Sequence, residues 1–402
     1  MNEKDYSILA HEYMHFLQDI TTSYGAFCAY SISEYIKSVA ESIRDSKDGT
    51  IEIPYTPEPG DDNVFANYYV RSLTYGDYNE IKSVSELIEI KNLQEALDSK
   101  DLDSFPVIEL LLKDGEGNPK TVYFGACAVM ESLAYMMERF IAPLSLPSPD
   151  YPYDIVEKIV EMVYPEFGNE VLNIIALCDV SLLTSSPGHT LVCYLVQFKE
   201  DAWLPQKPED VYDKVLAGGF KVQGSKPCTR TFEEEMNEMC RLSIESANSY
   251  FAPELVRYRK WIKETFTRGF ELRSKNPSFM LDIARDGDIR NNRILKYLIE
   301  DYFGTPIITN PWGEATIKSP VVHFDSDFFL FPAIGEVMKL FESGDCNCSL
   351  KECCARLGGP GDDMCNTEPW SHEVRMDRFC PYSLLWHNWK FKGCKPIKHP
   401  IS

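Results

Sequence analysis

His11, Glu12 and His15 stand in the run Ile8-Leu9-Ala10-His11-Glu12-Tyr13-Met14-His15-Phe16-Leu17-Gln18. On a helix, residues four apart share a face, so both imidazoles can reach one metal ion. Glu12 then sits beside that ion, where its carboxylate can take a proton from water. This is the working part of a hydrolase that uses zinc (Zn2+). With 7 His in 402 residues, the pattern would arise by chance about once in a hundred such chains. The apolar neighbours Ile8, Leu9, Tyr13, Met14, Phe16, Leu17 and Ile20 predict a helix buried on most sides. Two His and a Glu on such a helix are costly unless each has a partner, and a metal would satisfy all three.

A catalytic zinc usually takes three protein ligands and one water. A third His of the metzincin kind is excluded, because Gln18 and Thr21 hold the places of its Gly and His. The best third ligand is Glu131, in Gly125-Ala126-Cys127-Ala128-Val129-Met130-Glu131-Ser132-Leu133-Ala134-Tyr135. A carboxylate in the middle of so apolar a helix needs a cation. Ser132 and Ala134 are small enough to let two helices approach closely. Glu138, two turns further on the same face, is the alternative; it sits beside Arg139, where a solvated ion pair suffices.

His11-Glu12-Tyr13-Met14-His15 together with Glu131-Ser132-Leu133-Ala134 resembles the HExxH…E arrangement of gluzincin-type zinc metallopeptidases. The nearest likeness is to small, poorly characterised bacterial members whose ligand helix reads Glu-small-x-Ala. The resemblance covers two helices only. It implies that His11, His15 and Glu131 bind zinc and that Glu12 is the general base. It departs from the family in two ways. The interval from His15 to Glu131 is long, which makes residues 44–124 an insertion. Only ten residues precede His11, whereas the family places a sheet with a peptide-binding edge strand there. Either a hairpin at 105–124 supplies that edge, or the chain start is truncated.

In related enzymes a His or Tyr donates to the oxyanion of the tetrahedral intermediate. Tyr135, one turn after Glu131, and His189, after the turn Ser185-Ser186-Pro187-Gly188, are the candidates for that catalytic role. For His189 the plainer alternative is a surface-turn residue. Asp19, four residues after His15, can accept the free N–H of a ligand His or stand solvated. Asp179, alone in the apolar run Ile174–Leu183, calls for a buried partner, for which a zinc-binding His is one choice.

These residues need helices to hold them. The pattern predicts one long helix or two over 5–43 with a break near Gly25, and loop with short strands over 44–80. A short helix is expected from Val84 to Leu97, then a hairpin of 105–112 and 120–124, then an apolar helix over 126–141. Helices follow at 153–163, 168–184, 190–200, 208–217, 231–248, 252–273, 278–284 and 289–302. An irregular segment spans 304–333 and a last helix 333–342. The expected fold is α+β and mainly α-helical, with a zincin-like metal site between two helices, a β-hairpin and a Cys-rich C-terminal end. Its expected domains are a catalytic one over 1–150, a helical one for recognition or regulation over 151–342, and the Cys-rich unit over 343–402.

That last unit holds Cys346, Cys348, Cys353, Cys354, Cys365, Cys380 and Cys394, with His372 and His387. Cys346-x-Cys348 with Cys353-Cys354 offers ligands for a structural zinc, although the spacing matches no standard pair of C-x2-C motifs. The alternative is a set of buried thiols among Trp370, Trp386 and Trp389. The net charge of −22 disfavours nucleic acid and anionic membrane surfaces. No apolar run approaches the ~18 residues needed to span a bilayer, and the charged start is no secretory signal. Thirteen Cys, an odd count, then read as reduced thiols of a cytoplasmic protein. The expected function is a zinc metallopeptidase acting on a protein or peptide substrate. The rivals are a non-catalytic binding or regulatory protein with a structural HExxH metal site, and a metal hydrolase of a non-peptide amide.

Overall fold

In the computed structural model the first helix, α1 (Glu3–Thr21), opens on a capping box. The Asn2 side chain accepts from the Asp5 amide at 2.9 Å, and the Asp5 carboxylate accepts from the Asn2 amide at 2.8 Å. The box satisfies amides that a helix start leaves bare. The structure describes residues 2–57, 62–96, 104–142, 144, 147–222, 228–250, 255–309, 315–323, 330–356, 358–373 and 380–398. It is 61% helix and 13% strand, an α+β architecture with a small hairpin sheet.

α1 stops where Thr22 turns extended (φ −115°, ψ 153°), and α2 (Ser23–Asp45) follows at once. The break expected near Gly25 is therefore real and lies at Thr22. After β1 (Thr50–Ile53) comes α3 (Asp62–Tyr75), in a stretch expected to be loop. Apart from Gly76 and Asp77, which follow it, the turn-forming Pro, Gly and Asp residues precede or begin this helix. From Asn63 onward the apolar residues Val64, Phe65, Tyr68, Tyr69 and Leu73 recur at helical spacing.

Three strands then form an antiparallel meander: β2 (Val84–Ala96), β3 (Ser104–Asp114) and β4 (Pro119–Phe124). Ile90 pairs with Leu110, and Leu110 with Val122. β2 corrects the expected helix over Val84–Leu97. Val84, Leu87, Ile88 and Leu93 imitate a helical stripe, but the backbone pairs with β3 along its length and tertiary context decides. β3 is central and buries Val107, Ile108, Leu110 and Leu112. β2 is an edge strand and carries Glu86, Glu89, Lys91 and Glu95, charges that deter further pairing.

β4 runs through Gly125 into α4 (Ala126–Ile141). A Cβ on Gly125 would lie 2.4 Å from the Thr74 carbonyl oxygen, so only glycine lets the end of α3 approach the start of α4. α1 and α4 pack antiparallel: Gln18 reaches the Met130 carbonyl, His15 reaches Glu131, and Ser7 reaches Glu138.

The chain divides into two compact units, each discontinuous in sequence. This cuts across the three consecutive segments 1–150, 151–342 and 343–402, because composition follows chain order and packing does not. The first unit comprises Met1–Ser31, Ala66–Ile244 and Thr265–Tyr302. Behind α4 it contains helices Ile155–Val163, Val171–Ser181, Pro187–Glu200, Glu209–Leu216 and Phe279–Arg285, close to their expected positions. Arg293–Tyr297 is helical and passes into a π-turn, Leu298–Tyr302, in place of one helix over 289–302.

A buried ion pair closes the far end of α1. The Arg273 guanidinium grips Asp179 at 2.6 and 3.0 Å and donates to the Thr21 carbonyl at 3.2 Å and hydroxyl at 3.0 Å. Arg273 and Asp179 are both fully buried, and the Tyr212 hydroxyl donates to Asp179 at 2.5 Å. Asp179 thus has the buried partner its surroundings demand, and that partner is Arg273. One turn earlier, a Cβ on Gly269 would lie 2.0 Å from the Ile20 carbonyl oxygen. The glycine allows its helix, Val256–Lys275, to back directly onto the end of α1.

The second unit comprises Ile32–Phe65, Glu245–Glu264 and Phe303–Ser402. β1 pairs in parallel with Lys395–Lys398. Helix Leu330–Ser343 packs on helix Pro381–Asn388, where Trp386 stacks between Phe341 and Trp370 with ring centroids 5.6 Å apart on each side. The irregular segment has two very short strands, Ile308–Thr309 and Ala315–Thr316; residues 310–314 and 324–329 of it lie outside the described ones. Among the described residues no helix is long and apolar enough to cross a membrane.

Candidate metal centre

α1 presents His11 and His15 one turn apart, and α4 brings Glu131 up to them. His11 Nε2 lies 3.1 Å from Glu131 Oε2 and 3.1 Å from His15 Nε2; His15 Nε2 lies 3.2 Å from the same Glu131 oxygen. The two other imidazole nitrogens are held from behind. His15 Nδ1 donates to Gln18 Oε1 at 2.8 Å, and Gln18 Nε2 in turn donates to the Met130 carbonyl at 3.0 Å. His11 Nδ1 faces Glu138 Oε2 at 3.4 Å, and the Ser7 hydroxyl donates to the other Glu138 oxygen at 2.5 Å.

Gln18 Oε1 and the Glu138 carboxylate can each accept from an Nδ1–H, an arrangement that leaves both Nε2 atoms to face inward as donors to a metal. Three electron-rich atoms then face one another, which is unfavourable unless a cation or a proton stands between them. Four ligands at ~2.0–2.1 Å from a tetrahedral ion are separated by about 3.3 Å. The observed triangle has nearly that edge, and its nitrogen and carboxylate donors suit zinc.

The electrostatics record the same demand. Burial alone would depress the His11 pKa, but Glu131 and Glu138 outweigh it and lift it to about 9. His15 is raised in the same way against its burial, mainly by Glu131. Burial would raise Glu131, but the two imidazoles bring it down to about 2. The site therefore holds positive charge strongly. Glu12 is exposed on the next position of the helix and lies close enough to add to the His11 shift.

Glu138, the alternative ligand, stands behind His11. Of the two small residues on α4, Ala134 is fully buried, and Ser132 is turned to donate to the Pro152 carbonyl at 2.8 Å. Asp19 does not take the imidazole N–H, which goes to Gln18. Its surroundings raise its pKa to about 6 by burial, offset by His15, although its surface reaches water.

Tyrosines from segments that carried no signal in the sequence stand near the group. The Tyr153 ring lies 5.8 Å from the His11 ring, and Tyr78 is hydrogen-bonded to Tyr153. Tyr75 pairs with Cys127 on α4. Burial raises the pKa of all three tyrosines, with Glu131 adding to each, so they stay protonated donors at neutral pH. Tyr135 stands one layer back: its ring meets Tyr153 at 5.9 Å, and Arg139 lies 5.4 Å over its face. His189 contacts Asn92 at 3.2 Å and Cys193 at 3.3 Å, and burial lowers its pKa. None of these contacts joins it to the His11, His15 and Glu131 group.

No family model, curated protein or solved structure matches this chain. The resemblance to gluzincins rests on the residues themselves.

Proposed function

We propose that this chain is a zinc-dependent hydrolase of peptide bonds, a metallopeptidase similar to gluzincins, with His11, His15 and Glu131 as metal ligands. The observation that carries the reading is the triangle of two inward-facing imidazole nitrogens and one carboxylate oxygen at 3.1–3.2 Å, each imidazole braced from behind. Bound zinc supplies a Lewis acid that polarises a carbonyl and lowers the pKa of water. Glu12, exposed beside His11, takes the proton from the attacking water and passes it to the leaving amine. Tyr153 and Tyr78 hold hydroxyl protons on the same side and can steady charge on the carbonyl oxygen. Tyr135 acts through Tyr153 in this scheme, and His189 stands apart from it. The net charge of −22 favours substrates that are not acidic. A reducing, cytoplasmic setting belongs to the same proposal, since the twelve cysteines with described side chains are free thiols.

The test is zinc content together with cleavage of a mixed peptide library, read by mass spectrometry, for wild type and Glu12→Gln. The variant should keep its zinc and lose roughly 10²–10⁴-fold in cleavage rate. Undiminished cleavage would place the base elsewhere. A zinc-loaded wild type that cuts nothing in the library would favour the structural metal site of a binding protein.

A further inference from the structure

A second group of donors lies in the Cys-rich end, within the second unit. Asp362, Cys365 and His372 each offer a ligand atom, all within 4.8 Å of one another. His372 Nε2 is 3.4 Å from Cys365 Sγ and 3.4 Å from Asp362 Oδ1. Zinc bonds of ~2.3 Å to sulfur and ~2.0–2.1 Å to nitrogen or oxygen separate such ligands by about 3.3–3.6 Å. Cys365 and His372 are only 4% and 7% exposed.

Local turns assemble the group. Asp362 caps the short turn Asp363–Asn366, which carries Cys365; the turn Pro369–Ser371 then returns the chain to His372. The Ser383 hydroxyl donates to the Pro369 carbonyl at 2.9 Å, and the Cys348 amide donates to the Cys365 carbonyl at 2.9 Å. Three more buried cysteines lie near. Cys354 is in electrostatic range of Cys348, Cys365 and Cys380, and Cys348 of Cys365 and Cys380. Four thiols outside any disulfide and an imidazole thus come from short turns, from the helix Lys351–Arg356 and from the cap of the helix Pro381–Asn388. Donors this soft suit zinc and do not suit calcium or magnesium.

We infer that this end of the chain holds a structural zinc ion through Cys365 and His372, with its two remaining places filled from among Asp362, Cys348, Cys354 and Cys380. The ligand set differs from the Cys346, Cys348, Cys353 and Cys354 set that chain spacing suggests, and it is independent of the centre on α1. Such an ion would tie the short turns that carry Cys365 and His372 to the helices beside them.

Cobalt substitution of the full chain separates the two centres. The α1 centre has only nitrogen and oxygen donors, so a sulfur-to-cobalt charge-transfer band reports the second centre alone. Wild type and His15→Ala should both show the band, and His15→Ala should retain a single zinc per chain. Cys365→Ser should lose the band and one zinc, whereas Cys394→Ser keeps both. Should Cys365→Ser fail to fold, His15→Ala decides by itself: no band and no residual zinc overturns the inference. A band unchanged in folded Cys365→Ser, or a disulfide among Cys348, Cys354, Cys365 and Cys380 in the isolated protein, overturns it as well.

Discussion

Glu138→Gln separates a brace from a ligand. Glu138 is 4% exposed, lies 3.4 Å from His11 Nδ1, and has no place in the triangle of His11, His15 and Glu131. A glutamine keeps the shape and an acceptor oxygen but removes the charge that makes the imidazole a stronger donor to metal. Loss of such an outer partner typically weakens metal binding 10–100-fold, about 1.4–2.7 kcal/mol. Glu138→Ala should add a second effect. The Ser7 hydroxyl also reaches the Leu144 carbonyl, at 2.5 Å, so it keeps an acceptor when the carboxylate is gone. His11 Nδ1 does not, and one buried donor without a partner costs about 1–3 kcal/mol of stability. Zinc affinity would be measured by competition with a chromogenic chelator, and the stability of the metal-free protein by urea denaturation. Zinc affinity in Glu138→Gln within twofold of wild type would refute the reasoning, since the charge on Glu138 would then add nothing to His11 as a donor to metal. A loss of all zinc would make Glu138 a direct ligand.

Replacing His15 with Ala, or Glu131 with Gln, should abolish tight zinc binding at the first centre, read by elemental analysis after dialysis; unchanged content in both would move the site. Asp179→Ala leaves Arg273 charged, fully buried and short of its counter-ion, and should cost about 3–5 kcal/mol in chemical denaturation. If the loss is below about 1 kcal/mol, the pair does not hold the end of α1. Burial lowers the His189 pKa, so near and below its ordinary value the unfolded chain binds that proton more readily than the folded one. Stability should therefore fall as pH drops from about 6.5 toward the depressed value, and His189→Gln should flatten that slope; an identical slope would show that another group sets it.

Much of the centre is legible in the residues because its chemistry is local. The four-residue step from His11 to His15 needs only a helix, and Glu131 stands out as a carboxylate inside an apolar stretch. The braces are harder to see. Gln18 lies on the metal face, yet glutamine in a helix carries no signal until Met130 is placed opposite it. Tyr75, Tyr78 and Tyr153 converge on Glu131 from segments that do not differ from ordinary Pro- and Tyr-rich loop. Asp179 announces its need for a partner but not the partner, since Arg273 is 94 residues away in the chain. β2 was hidden for a related reason: its apolar spacing fits a helix, and only its pairing with β3 makes it a strand. The second donor group escapes any spacing rule because Cys365 and His372 meet through two short turns.

The grip of Arg273 on Thr21 spans 252 residues, and it has a consequence for biosynthesis. The chain leaves the ribosome N-terminal end first, so α1 is made well before the residue that fastens its far end, which follows 252 residues later, and the rest of that unit, to Tyr302, comes later still. A nascent chain would thus carry the two histidines and Glu131 long before it could hold them in register. Under the peptidase activity proposed above, that delay would keep the incomplete chain inert while it is still surrounded by other unfolded polypeptide.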